Sequence, residues 1–265
     1  MLKKRSRLWR LNLRTRERYL EALREKKRLK ALLLVFVNEN QTACNLHPFY
    51  DWQREFYLYS GRLAFITAAN QIGKSSILII KMLNLAMRPE LWPDYFGDAK
   101  PSLFLYLYPD SRTGATEFHE KWEKVYLPKK ELKDDPVWGW KVEFDKSKQV
   151  EAIRFASGVT MLWRYYTQKP SSMQAMSIDY AGLDEECPLG HWDELMVRTS
   201  ARAGLGSGLV STVFTATLGQ PYLYETMERQ GQDDEKFGKA FKRQISLYEC
   251  LKYADGTPSQ IFSKE

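Results

Sequence analysis

Cysteine and histidine are scarce in this chain of 265 residues, with three of each. Cys44, Cys187 and Cys250 are widely separated and form no C-x-x-C pair. That argues against a disulfide framework or a zinc cluster, and for a reducing compartment. His47, His119 and His191 share no ligand spacing with one another or with the cysteines, so a metal held by imidazoles is not expected. Long apolar runs are missing as well. The longest, Ala31 to Val37, has seven residues, whereas a bilayer span needs about 20. The basic leader before it carries Glu17, Glu21 and Glu25 and reads as helix, which excludes a secretion signal. With 44% hydrophobic and 14% aromatic residues, the composition excludes disorder and low complexity and allows a sizeable core.

Charge is unevenly placed. Residues 1–30 hold 13 Lys and Arg against 3 Glu, a net of +10, while the rest of the chain has 27 basic against 30 acidic residues, a net of −3. The segment from Leu2 to about Asn38 lacks Pro and Gly, and Leu8, Leu11, Leu20, Leu23 and Leu29 recur at loose helical spacing. One or two basic amphipathic helices are expected over residues 1–45, as a solvated face or as an electrostatic contact with a partner.

Beyond Asn45 the pattern becomes one of alternating strands and helices. Leu63 to Thr67, Leu103 to Tyr108, Tyr180 to Leu183 and Gly208 to Thr215 read as buried strands. Ser75 onward and Thr113 to Val125 read as helices, and Glu151 to Phe155 with Thr160 to Tyr165 as a hairpin. The alternation predicts an α/β fold with a mostly parallel sheet flanked by helices. We place this domain at residues 46–230 and read 231–265 as a polar tail with a possible strand at Gln244 to Leu247.

Between the first strand and its helix stands Ala68-Ala69-Asn70-Gln71-Ile72-Gly73-Lys74-Ser75, followed by Ser76. A loop there, opening a helix, can curl its backbone N–H groups round a phosphate and point the positive end of the helix at it. Lys74 would then reach the β- and γ-phosphates of ATP, and the Ser75 hydroxyl would ligate Mg²⁺. Ala68 stands where the usual pattern has its first glycine. About 110 residues later a buried strand ends in Asp184-Glu185-Glu186. Asp184 suits the Mg²⁺ shell and Glu185 the activation of water, with Glu186 as fallback. Upstream, Gln53 lies among aromatics in Pro48 to Phe56. It can read an adenine edge, or the segment can simply be a helix packing Trp52 and Phe56. Thr215-Ala216-Thr217 ends the last strand, where a hydroxyl pair can sense the γ-phosphate.

In this order, and with the hairpin Phe155 to Trp163 and Arg198 between them, these motifs resemble the N-terminal packaging ATPase half of the large terminase subunit of tailed bacteriophages. The similarity runs from about Pro48 to about Tyr224. It implies a RecA-like P-loop ATPase of the additional-strand type. Gln53 would contact adenine; Ala69, Asn70, Gln71, Ile72, Gly73, Lys74, Ser75 and Ser76 would hold the phosphates; Thr215, Ala216 and Thr217 would couple hydrolysis to movement. It also implies a ring of copies that pumps double-stranded DNA into a capsid shell. The partners would be the portal protein, that shell and a small terminase subunit, in the cytoplasm of an infected bacterium.

The sequence departs from that family in two ways. Asn70 stands where many members carry an arginine, and the region near Gln174 is not basic either. Arg198 and Arg202, with Arg112 behind them, are therefore the candidates for the arginine that meets the transition-state charge. The 48 residues after Thr217 are too few for the family's nuclease, so no DNA cleavage is expected of this chain. Another DNA-translocating P-loop enzyme, or a nucleotide-gated adaptor that does not hydrolyse, are the alternative readings.

Overall fold

The computed structural model describes residues 49–97, 99–128, 130–200, 208–216, 223, 225 and 240–262. The expected basic helices of residues 1–45, Arg202 and Thr217 lie outside the described residues. Eight strands form one sheet in the order β3-β4-β5-β2-β6-β7-β1-β8. They are β1 (Leu63–Ala68), β2 (Leu103–Tyr108), β3 (Trp140–Phe144), β4 (Val150–Phe155), β5 (Thr160–Tyr165), β6 (Tyr180–Asp184), β7 (Leu209–Phe214) and β8 (Phe241–Ile245). All pairings from β5 across to β8 are parallel; β3, β4 and β5 pair antiparallel at one end.

The central strands are continuous apolar runs because both faces are covered, as in a parallel sheet with helices on each side. On one face lies α2 (Lys74–Met87), nearly every residue of which is buried after its first turn. The helix is apolar all round, which suits a position between sheet and surrounding elements. Packed near it are α1 (Asp51–Leu58) and the short α3 (Pro93–Phe96), while α4 (Ser111–Glu117) packs on β2 and β5. α4 continues as a π-helical stretch over Phe118–Tyr126. On the opposite face, α5 (Leu189–Arg198) covers a smaller core with Trp192 and Leu195.

Strand β7 lies between β1 and β6, the strands that end in the phosphate-loop sequence and in Asp184. That insertion is the additional strand of the RecA-like arrangement, so the expected fold class is the observed one. Parallel register brings Thr67 level with Phe214 and Asp184 level with Val213. The carboxyl ends of three strands therefore meet at one edge of the sheet, the usual place for a ligand site in this class.

Two elements differ from the sequence reading. The segment from Phe241 to Ile245 is no tail: it pairs with β1 over Ala64↔Phe241 to Ala68↔Ile245 and closes the sheet. Its Lys-Arg-Gln centre suits an edge strand, where charge discourages further pairing. Strand β3, unread in the sequence, extends the Val150–Tyr165 hairpin by one antiparallel partner. Among the described residues, no helix is long and apolar enough to cross a membrane.

Candidate nucleotide-binding site

A cleft of about 510 Å³ opens at that edge. Asn70, Gln71, Ile72, Gly73, Lys74, Ser75 and Ser76 line one side, with Gln53, Asp184 and Glu185. The loop takes its shape from two left-handed residues, Gln71 at φ 63° and Gly73 at φ 87°. Gly73 caps α2, and a Cβ there would stand 2.8 Å from Gln53 Nε2. Glycine is thus required twice over, by backbone conformation and by close approach. Ala69 precedes the turn and contributes its carbonyl, which accepts from Lys74 Nζ at 2.7 Å.

Lys74 Nζ also donates to Ala68 O at 3.0 Å and to Thr215 Oγ1 at 2.8 Å. Burial pulls its pKa down, while the charges of Glu185 and Asp184 oppose that shift. The Ser75 hydroxyl donates to Asp184 Oδ1 at 2.8 Å, and the Tyr106 hydroxyl donates to Oδ2 at 3.1 Å. Burial raises the Asp184 pKa to about 6, the Ser75 hydrogen bond opposing the rise and the Glu185 charge adding to it.

Glu185 sits in the left-handed region at φ 66°. Its N–H continues the ladder to Val213 O at 2.9 Å, and its Oε2 accepts from Thr215 N at 3.2 Å. A non-glycine residue held there is costly, and such residues concentrate at functional sites. Thr215 is the meeting point: its hydroxyl accepts from Lys74 and donates to Asn70 Oδ1 at 2.6 Å. The structure thus joins Asn70, Lys74, Glu185 and Thr215 in one hydrogen-bonded group, and Ser75 with Asp184 and Tyr106 in a second beside it. Ala216 follows it, exposed.

Gln53 is buried at the third position of α1. Its Oε1 accepts from Tyr50 N at 3.1 Å as half of a capping box, and its Nε2 donates to Gly73 O at 3.4 Å. The helix expected to pack Trp52 and Phe56 does so. Gln53 also lines the cleft. One amide proton and one oxygen lone pair remain for a base.

Of the arginines expected at the site, Arg202 lies outside the described residues, and Arg198 and Arg112 do not line the cleft. Arg198 Nε donates to Glu194 at 2.7 Å, one turn back on α5. Arg112 is exposed on α4. The described cations that line the cleft are Lys74 and Lys121. Lys121 Nζ lies 2.5 Å from Glu117 Oε2, and with Thr113 these residues make a polar stripe at four-residue spacing. That stripe was visible in the sequence as helical periodicity. The lining adds Phe49 and Tyr50, from the aromatic segment around Gln53, and Tyr126 and Ile261, which sequence reasoning did not single out. They converge only through the fold.

Two hard oxygens, on Ser75 and Asp184, stand together beside the loop. Among the described residues no group of three or more His, Cys, Asp or Glu converges. A hydroxyl and one carboxylate fit Mg²⁺, which keeps waters and takes its other ligands from substrate phosphates.

The sheet order and this loop define an additional-strand P-loop fold. No family model and no curated protein sequence matches the chain. Among solved structures, it is similar to the large terminase ATPase domain of Thermus phage P74-26. The identity is 15% over 74% of this chain and 81% of that one, with a TM-score of 0.46. A mutant of that domain gives 14% identity, the same coverage and a TM-score of 0.45. The large terminase of a thermophilic bacteriophage, solved in complex with ADP, gives 13% identity over 76% of this chain and 46% of that one, with a TM-score of 0.44. At these values the functional reading rests on the geometry of the site itself.

Proposed function

We propose that this chain is an ATP hydrolase and that it works as the motor subunit of a viral DNA-packaging machine. The observation that carries the enzymatic part is the single network in which Thr215 ties Lys74 of the loop to Glu185. Backbone N–H groups of residues 70–75 and the α2 N-terminus bind the phosphates. Lys74 presents its protons at the mouth of the loop, where phosphate oxygens take them over. Glu185 orients the attacking water and accepts its proton. Mg²⁺ held by Ser75 and Asp184 would supply positive charge to the β- and γ-phosphate oxygens. Loss of the γ-phosphate changes what Lys74 bonds, and Thr215 passes that change to β7 and to Glu185.

The motor reading rests on the order of motifs in the sequence, from Gln53 to Thr217. It implies double-stranded DNA as the translocated substrate, with portal protein, capsid shell and small terminase subunit as partners in the host cytoplasm. Since no arginine among the described residues lines the cleft, a neighbouring copy in a ring supplies that charge. Such an arginine is worth roughly 10³–10⁵ in kcat, so the isolated chain hydrolyses slowly and its turnover rises more than linearly with protein concentration.

Glu185→Gln separates this reading from a nucleotide-gated adaptor. It should cut turnover by about 10²–10⁴ while ATP binding persists. A chain that binds ATP but shows no turnover in any assembly, with or without Glu185, is an adaptor.

A further inference from the structure

Resting on that reading of the site, we propose that Tyr106 is a positioning residue for the metal-binding carboxylate of Asp184. On β2, Tyr106 is level with Gly182 of β6. Alternation along the strands puts Tyr106, Gly182 and Asp184 on the same face of the sheet. Asp184 is then a diagonal neighbour, beyond a short side chain but within reach of a phenol. Gly182 leaves the way clear: a Cβ there would already collide with Met82 Sδ at 2.2 Å.

The hydroxyl ends at Asp184 Oδ2, 3.1 Å away, while Ser75 occupies Oδ1. The carboxylate is therefore fixed from both oxygens, one by the loop and one by the core. The tyrosine is itself immobilised. Its ring lies 4.7 Å from that of Tyr108, 5.0 Å from Trp122 edge-on and 6.0 Å from Trp163. Trp122, on the π-helical stretch, also donates to the Tyr108 hydroxyl at 2.8 Å. Packing alone would be served by phenylalanine. The hydroxyl of Tyr106 orients Asp184, and partners of this kind are worth about 10–100-fold in metal affinity.

The test uses Mn²⁺ as the probe, with ADP and the full chain, free Mn²⁺ being read by electron paramagnetic resonance. Tyr106→Phe should raise the Kd for Mn²⁺ in the ADP-bound protein about 10-fold or more, with metal-free ADP binding and the thermal midpoint unchanged. Tyr180→Phe, which removes a buried hydroxyl of the same sheet that pairs with Ser211 Oγ and not with Asp184, should leave that Kd where it was. An unchanged Mn²⁺ affinity in Tyr106→Phe, alongside the expected loss in Asp184→Asn, overturns the proposal and leaves the site standing. Parallel loss of Mn²⁺ and metal-free ADP binding in Tyr106→Phe makes the residue a packing element and also overturns it. If Asp184→Asn changes nothing, the metal site itself is wrong, and this inference falls with it.

Discussion

The two ends of the cleft are built in opposite ways. At the phosphate end, short-range polar chemistry decides everything. Three residues with positive φ (Gln71, Gly73 and Glu185) hold the backbone in shape, and Thr215 bonds to Asn70, Lys74 and Glu185. At the other end, aromatic packing decides. Tyr50 stacks on Tyr253 at 5.1 Å and its hydroxyl bonds to Ser259 Oγ at 3.0 Å, while Ile261 completes the wall. Gln53 is the bridge, with one amide atom in each end. The polar end is specified by hydrogen bonds between particular atoms; the aromatic end is specified mainly by the packing of rings. Substitutions can break that contrast or sharpen it.

The largest effect belongs to the backbone of the polar end. Gly73→Ala forces a left-handed conformation on alanine and presses Cβ toward Gln53, at a cost of about 1–3 kcal/mol. Because Gln53 spans both ends, affinities for ATP and for tripolyphosphate should fall together, as calorimetry would show. Selective loss of one ligand would mean that the ends are independent.

Gln53→Ala should then divide them. It removes the bridge and the base-facing amide, so ATP affinity should fall about 10-fold, the worth of roughly one hydrogen bond. Tripolyphosphate affinity should stay within about twofold. Equal losses would place Gln53 with the phosphate loop alone.

Lys81 tests how α1 is joined to α2. Its amino group is buried and donates to Phe56 O at 2.9 Å and Tyr59 O at 2.7 Å, with the Phe56 ring 4.5 Å away. Burial lowers its pKa from 10.5 to about 7. Between those values the unfolded chain carries a proton that the folded chain has lost, so stability should rise with pH across that window. The slope from one such group is at most about 1.4 kcal/mol per pH unit. Denaturant melts at pH 7 and pH 9 should show a shallower rise in Lys81→Met than in the parent. Identical slopes would show that this lysine keeps its proton when folded.

The smallest effect should come from Arg198→Ala. Its ion pair with Glu194 lies on α5, away from the cleft, and such a pair is worth about 0–1 kcal/mol. Turnover of dilute chain should not change; a large loss would return this arginine to the site.

The same contrast explains what was readable in the sequence. Lys74, Ser75, Asp184, Glu185 and Thr215 stand in short contiguous motifs at strand ends, where the chemistry demands particular residue types. Central strands were legible because burial on both faces leaves unbroken apolar runs. Strand β8 was missed in outline because an edge strand made of Phe-Lys-Arg-Gln-Ile is mostly polar. Strand β3 was legible in principle, since Trp140, Val142 and Phe144 alternate with Lys141 and Glu143. The aromatic end was legible only in part: Tyr50 stood in the aromatic segment around Gln53, but Tyr126 and Ile261 share no local pattern with it and join it only when β8 and the chain after it fold back. Tyr106 was hidden for a different reason, lying in an apolar run where a hydrogen-bonding phenol looks like any other core aromatic.

The central claim is that the loop at Lys74 binds ATP for hydrolysis. Steady-state ATP turnover with Mg²⁺, measured against protein concentration for the parent chain and for Lys74→Ala, tests it most directly. The account predicts turnover that rises more than linearly with protein and disappears in Lys74→Ala. Turnover that survives Lys74→Ala, or a parent chain that binds no ATP at any concentration, would contradict it.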